Sequence, residues 1–193
     1  MADALKTTKK NQSPTDLIYE LVSEIKPYDA QEQEQVAETQ AWIKSGSPIF
    51  RIEKPNIPNK HLAAYFVMFD EHAQKILLVD HKNAQLWLPP GGHVEIDEDP
   101  KETVRRECLE ELGVPADFWR AHPIFLTSTV SAATTGGHID VTLWYIIKGN
   151  HQDAYVFDAQ EFNRVRWFGF EEIPYQNAEP HLKRFIKKLQ TIF

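Results

Sequence analysis

The chain has 193 residues, 42% hydrophobic and 25% charged, the balance of one ordinary folded domain and not of a disordered chain. Its formal charge of −7 argues against a general binder of the nucleic-acid backbone, and no apolar run approaches the roughly 20 residues that span a bilayer. Its one cysteine excludes an internal disulfide and a multi-cysteine zinc site, and with no leader-type apolar stretch after Met1 the expected location is a reducing cytoplasm.

In chain order, residues 1–12 are polar and lysine-containing, and they read as a mobile tail. Ser13-Pro14-Thr15-Asp16 has the cap, the first-turn proline and the early acid of a helix start. Leu17, Ile18, Leu21, Val22 and Ile25 follow at helical spacing. A second helix is expected from about Asp29 to Lys44, stopped by Gly46. Residues 13–47 thus read as a helical extension before a main domain over residues 48–193. This extension is expected to pack on the sheet, to cover a cleft, or to form a homodimer contact.

Three prolines between Pro48 and Asn59 mark a connector. His61–Phe69 and Lys75–Asp80 read as strands, the second apolar enough to be buried on both faces. A short strand over Ala84–Leu88 ends at Pro89-Pro90-Gly91-Gly92, which reads as a breaker. A helix follows over Pro100–Leu112. Pro123–Val130 and His138–Lys148 then read as strands joined by a loop containing Gly136-Gly137, and Val165–Phe168 as a short strand. Pro180–Phe193 is amphipathic, with Leu182, Phe185, Ile186 and Leu189 on one stripe. The order implies an α/β protein, a mixed β-sheet sandwiched between α-helices.

The helix over residues 100–112 carries the chemistry. Asp99 can cap it, Pro100 takes the first position, Glu102 completes a capping box, and Gly113 stops it. Val104, Cys108 and Leu112, with Leu109 at the margin, form the buried stripe. Glu107, Glu110 and Glu111 cluster on the opposite side, where Glu111 is expected to face solvent and metal. A solvated acidic face is the ordinary reading of such a run. Here the like charges repel at i, i+3 and i+4, and they sit near the helix C-terminus, where the dipole disfavours anions. A divalent cation such as Mg²⁺, which takes a few carboxylates plus water and phosphate oxygens, resolves both conflicts. The paired glycines ahead of the helix allow a backbone carbonyl to approach the same ion.

Gly92, five residues, Glu98, seven residues and then Arg106-Glu107-Cys108-Leu109-Glu110-Glu111-Leu112-Gly113-Val114 resembles the Nudix box. Every charged and glycine position of that box is filled. Cys108 stands where a branched aliphatic is usual, and as a small hydrophobe it suits a core slot. The resemblance implies a Nudix fold from about His61 to Phe193. It also implies a hydrolase that cleaves the diphosphate linkage of a nucleoside diphosphate derivative by water attack on phosphorus, with Mg²⁺ or Mn²⁺. It makes Glu107 and Glu111 the first metal ligands, with Glu110 sharing the role and the Gly92 carbonyl adding to it. Arg106 and Glu98 become a supporting ion pair, and Glu107 or Glu111 the general base.

Outside the box, several residues have both a site reading and a bland one. Gly91, Gly92, His93 and Glu95 adjoin the expected phosphate position, although Glu95 and His93 suit a plain surface loop as well. His138 and Asp140 alternate on one strand and share a face, either lining the cleft or pairing across the sheet. Trp87 and Tyr145 are candidates to stack a base, or else core residues. Asp158 and Glu161 are further loop acids.

The rival readings are a nucleotide-sensing module without hydrolysis, an isopentenyl diphosphate isomerase type enzyme, and cap removal from RNA. The intact glutamates count against the first. The position of the only cysteine counts against the second, and the acidic balance counts against an extended nucleic-acid partner. Substrate candidates are nucleoside triphosphates, towards which the reading leans, ADP-ribose, dinucleoside polyphosphates and nucleotide sugars.

Overall fold

Helices α1 (Pro14–Glu24) and α2 (Ala30–Lys44) precede strands β1 (Lys60–Asp70), β2 (Lys75–His81), β3 (Leu86–Leu88) and β4 (Gly91–His93). Helix α3 (Pro100–Leu112), strands β5 (Phe125–Val130), β6 (Ile139–Lys148) and β7 (Phe162–Gly169), and helix α4 (Leu182–Leu189) complete the chain. The computed structural model describes residues 12–54, 56–130 and 137–193. The expected tail, except Gln12, lies outside the described residues, as do Pro55 of the connector and Gly136 of the β5–β6 loop. Among the described residues, no helix is long and apolar enough to cross a membrane.

β1 and β6 pair in parallel from Lys60↔Ile139 to Phe69↔Lys148, and they form the spine of a mixed sheet. β5 pairs antiparallel with β6, and β2 pairs with β3 and with β7. β1 spends its other edge twice, on β4 at Ala63–Tyr65 and on β2 at Phe69–Asp70. Side chains alternate across a strand, so each spine strand feeds two cores. Leu62, Ala64, Phe66 and Met68 of β1 join Val141, Leu143, Tyr145 and Ile147 of β6 on one face, beneath α1, α2 and α3. Val67 and Phe69 join Trp144 and Ile146 on the other, beneath Leu182, Phe185, Ile186 and Leu189 of α4. Helices thus cover both faces of the sheet, as the element order implies.

The structure corrects several details. The Pro-Pro-Gly-Gly segment does not simply break the chain, because Gly91 and Gly92 belong to β4 and pair with β1. β7 begins at Phe162, three residues before the expected Val165, and α4 starts at Leu182, after Pro180 and His181. In α3, Asp99 caps through the Lys101 amide at 2.9 Å and Gly113 closes the helix at φ 70°. Glu102 turns to Arg105 rather than completing a capping box. Leu109 is 60% exposed and not part of the stripe, which is completed by Thr103 beside Val104, Cys108 and Leu112.

The two leading helices start where the caps predict, Ser13 accepting from Asp16 at 3.1 Å and Asp29 from Glu32 at 2.8 Å. Their Ile18, Val22, Val36 and Ile43 enter the same core as β1 and α3, so the extension packs on the sheet. Polar anchors reinforce this packing. Arg184 of α4 grips Asp29 with two bonds, at 2.6 and 2.8 Å. The Glu32 carboxylate is fully buried and takes Lys188 Nζ at 2.7 Å, the Leu126 amide at 3.2 Å and the Tyr28 amide at 2.6 Å.

Candidate active site

Two glycines bring β4 against α3. A Cβ on Gly91, which sits at φ 142°, would meet the Ala64 carbonyl, and one on Gly92 would meet the Glu107 carboxylate. Without side chains here, the β4 backbone and helix α3 lie in direct contact. The Gly91 amide donates to Glu111 at 2.8 Å. Glu111 is therefore buried, only 5% exposed, and does not face solvent as the helix wheel implies.

Arg106 organises the opposite side. Its guanidinium bonds Glu98 at 3.2 and 3.3 Å, Glu107 at 2.6 Å and the His93 carbonyl at 3.3 Å, and it lies 3.6 Å from Glu110. Glu98 also accepts from Thr103 at 2.7 Å and from the Glu95 amide at 3.0 Å. One carboxylate thereby fastens the loop after β4 to the helix. Glu98 itself lies behind the wall, where burial, which would raise its pKa, is more than offset by Arg106 and by the bonds from Glu95 and Thr103, leaving its carboxyl below the usual range.

These elements enclose a cleft of about 1030 Å³. Its walls include the expected Gly91, Gly92, His93, Glu95, Arg106, Glu107, Glu110, Glu111, Asp140 and Glu161. Burial raises the pKa of Glu111 well above the carboxylate range, and the nearby Glu107 and Glu161 charges add to the effect. Burial also raises Glu107, with Arg106 opposing. Glu110 is 61% exposed at the rim. Two desolvated carboxylates, with Glu107 raising the proton affinity of Glu111 and Glu161 raising that of both, form the kind of environment that marks a chemical site.

Other candidates sit elsewhere. Tyr145 is fully buried beneath α3, and Trp87 packs edge-on against Phe168 in the α4 core. Neither lines the cleft, because their positions on the pleat point them into the two cores. The aromatic walls are instead Tyr65 and Phe162, which strand patterning alone does not single out. His138 is buried behind Asp140, 3.0 Å from it. Asp158 meets the helix through its backbone, its amide donating to the Glu111 carbonyl at 3.0 Å, while its carboxylate takes the Gln160 amide. Cys108 is a buried thiol whose pKa burial pushes up to about 12, so it is inert at neutral pH. Arg51 and Lys54, from the connector read only as proline-rich, add positive charge to the cleft.

The model of the NUDIX domain matches residues 59–189. An RNA pyrophosphohydrolase of Gluconacetobacter diazotrophicus is 31% identical over 104 residues, which cover 48% of this chain and 62% of that protein. Nucleoside diphosphate-linked moiety X motif 6 of Homo sapiens is 32% identical over 79 residues, 40% of this chain and 24% of that protein. The chain thus spans less than two thirds of the length of these curated relatives. Among solved structures, a NUDIX-family hydrolase from Clostridium perfringens superposes with a TM-score of 0.55 at 21% identity, over 69% of this chain and 98% of that one. The C. elegans Ap4A hydrolase gives 0.55 at 19% identity, over 68% and 96%.

Proposed function

The chain belongs to the NUDIX domain family, and from that premise we propose that it is a divalent-metal-dependent hydrolase of the diphosphate linkage in small nucleoside diphosphate derivatives. The observation that carries the reading is the pairing of Glu107 and Glu111. Both are desolvated, both line the cleft, and they are held against the Gly91–Gly92 backbone.

An ion of the Mg²⁺ or Mn²⁺ class fits this wall. Its donors are all oxygen, and the charges of Glu107 and Glu161 act against ionised Glu111 from close by, which a bound cation would relieve. Glu107 and Glu111 would hold it, with Glu110 and the Gly92 carbonyl as further donors. When bound, such an ion neutralises phosphate charge and acidifies a water.

The chain's own residues do the rest. Glu111, with its raised proton affinity, is suited to take a proton from the attacking water at its free carboxylate oxygen, while the Gly91 amide holds the other. Arg106, braced by Glu98, fixes the direction of Glu107 and of the His93 carbonyl. Arg51 and Lys54 offer positive charge to the remaining phosphates, and Tyr65 and Phe162 offer apolar walls to the group beyond them. Nucleoside triphosphates are the first substrates to try.

The test is product release from a panel of nucleoside triphosphates, dinucleoside polyphosphates, ADP-ribose and nucleotide sugars, with Mg²⁺, with Mn²⁺ and with chelator. Metal-dependent turnover of one class supports the reading and names the substrate. Saturable nucleotide binding with no turnover of any class would replace it with a sensing module.

A further inference from the structure

Beside the glutamate wall, a second set of side chains converges on one point. His61 of β1, His93 of β4, His138 and Asp140 each offer one ligand atom, and these atoms all lie within 4.8 Å of one another. The sheet makes the meeting. His61 and Asp140 are register partners across β1 and β6, and His93 pairs with Ala63, two residues further along β1 and on the same face as His61. Asp140 Oδ1 is 3.4 Å from Nε2 of both His61 and His93, and Oδ2 is 3.0 Å from Nε2 of His138.

The orientation of His61 is informative. Its Nδ1 lies 2.7 Å from the Pro58 carbonyl oxygen, which can only accept, so Nδ1 carries the hydrogen. In the neutral ring that leaves a lone pair on Nε2. This atom is buried, makes no hydrogen bond and faces a carboxylate oxygen, another acceptor. His93 Nε2 and Asp140 Oδ1 are likewise buried without a hydrogen-bond partner. A proton shared between imidazolium and carboxylate would draw the atoms to about 2.7–2.9 Å, closer than the 3.4 Å found. A cation among them satisfies Nε2 of His61, Nε2 of His93 and Oδ1 of Asp140 at once.

The spacing suits a particular class of ion. Zinc bonds of about 2.0–2.1 Å arranged tetrahedrally give ligand–ligand edges of about 3.3–3.4 Å. The Asp140 distances to His61 and His93 already match that edge, and the 3.0 Å to His138 and the outer limit of 4.8 Å for the group fall on either side of it. Three imidazoles and one carboxylate are a Zn²⁺-type donor set, whereas Mg²⁺ selects oxygens. The bond from His61 Nδ1 to the Pro58 carbonyl is the kind of outer contact that orients a ligating histidine.

We propose that His61, His93, His138 and Asp140 form a four-coordinate site for a Zn²⁺-class ion, separate from the glutamate wall. Four protein ligands close the coordination shell, so the ion is structural. It ties β4 to β1 and β6, and thereby holds Gly91 and Gly92 in place against α3.

The test is Co²⁺ titration of the metal-free full chain, followed by visible absorption and Zn²⁺ displacement. The expected result is the intense bands of four-coordinate cobalt, saturating at one equivalent of Co²⁺ per chain whatever the glutamate wall takes up, and lost on addition of Zn²⁺. The Glu107→Gln/Glu111→Gln double variant keeps those bands. His61→Ala and Asp140→Asn lose them, with affinity falling by more than the roughly 10- to 100-fold typical of an outer contact. Asp140→Asn is isosteric and partly exposed, so it serves if His61→Ala does not fold. Absence of binding by the wild-type chain, bands that survive Asp140→Asn, or bands that vanish with the glutamates would each overturn the proposal.

Discussion

Gly92 is where the β4 backbone touches the proposed reacting wall. A methyl group there collides with the Glu107 carboxylate, and the nearest atoms belong to that side chain rather than to the sheet. Gly92→Ala should therefore fold with a melting temperature close to wild type. Turnover should drop by about 100-fold, the cost of displacing a reacting group by about 1 Å. Circular dichroism beside a turnover assay checks both halves. Glu179 makes a different prediction. Burial pushes its pKa up to about 8, despite the His181 amide donating at 2.6 Å. A carboxyl whose folded pKa is raised stabilises fully below its unfolded value near 4.5, and that contribution is lost as pH rises through about 8. Glu179→Gln should flatten the fall in stability between those values, by up to about 1.4 kcal/mol per pH unit. Urea melts at pH 5 and pH 8 measure it. That Arg106, Glu107, Glu110 and Glu111 share one cleft was legible because they lie at local spacing on one helix. His61 was not, because its partners at positions 93, 138 and 140 meet it only through strand register.

At the scale of elements, α1, α2 and α3 were legible almost to the residue. Ser13, Asp29 and Asp99 are caps, and a cap acts within three residues of sequence. β4 was not, because a Pro-Pro-Gly-Gly run has no strand propensity of its own. Pairing with β1 and the fit against α3 override that local preference. Lys188 shows the same limit. Its place in the last turn of α4 suits the helix dipole, yet its side chain is buried on the Glu32 carboxylate of α2. Burial lowers its pKa, and Glu32 opposes that shift. Lys188→Met leaves Glu32 charged in an apolar setting and should cost about 3–5 kcal/mol. Adding Glu32→Gln removes the stranded charge while keeping an acceptor for the Leu126 amide, and most of the loss should return. Denaturant melts of both variants decide it. A double variant no more stable than the single would show that the pair is not what joins the helices.

For the whole molecule, the sequence implied a helix–sheet–helix sandwich through the order of its elements, in which apolar strands such as Lys75–Asp80 need helices to cover them. Which strands neighbour each other was not implied, since β1 and β6 are sequence-distant and pair in parallel. The relation of residues 13–47 to the rest was also open, and the packing resolves it. Ile18, Val22, Val36 and Ile43 are buried in the core that supports α3. Each such side chain contributes about 1.5–3 kcal/mol on burial, which is large against the stability of a domain. Removing residues 1–47 should therefore abolish cooperative thermal unfolding, even though the family match begins only at residue 59. A sharp melt of the shortened chain, near the full-length midpoint, would contradict this.

The claim that Glu107 and Glu111 form the reacting wall joins all three scales, and Glu111→Gln tests it most directly. The substitution keeps an oxygen for the Gly91 amide and removes a carboxylate that burial and Glu107 both disfavour. In chelator at pH 8 the variant should melt no lower than wild type, because the raised pKa makes the charged group a liability there. With Mg²⁺ or Mn²⁺ and the substrate class found in the panel, its kcat should fall by about 10²- to 10⁴-fold. A folded Glu111→Gln protein with near-wild-type metal-dependent turnover would contradict the account.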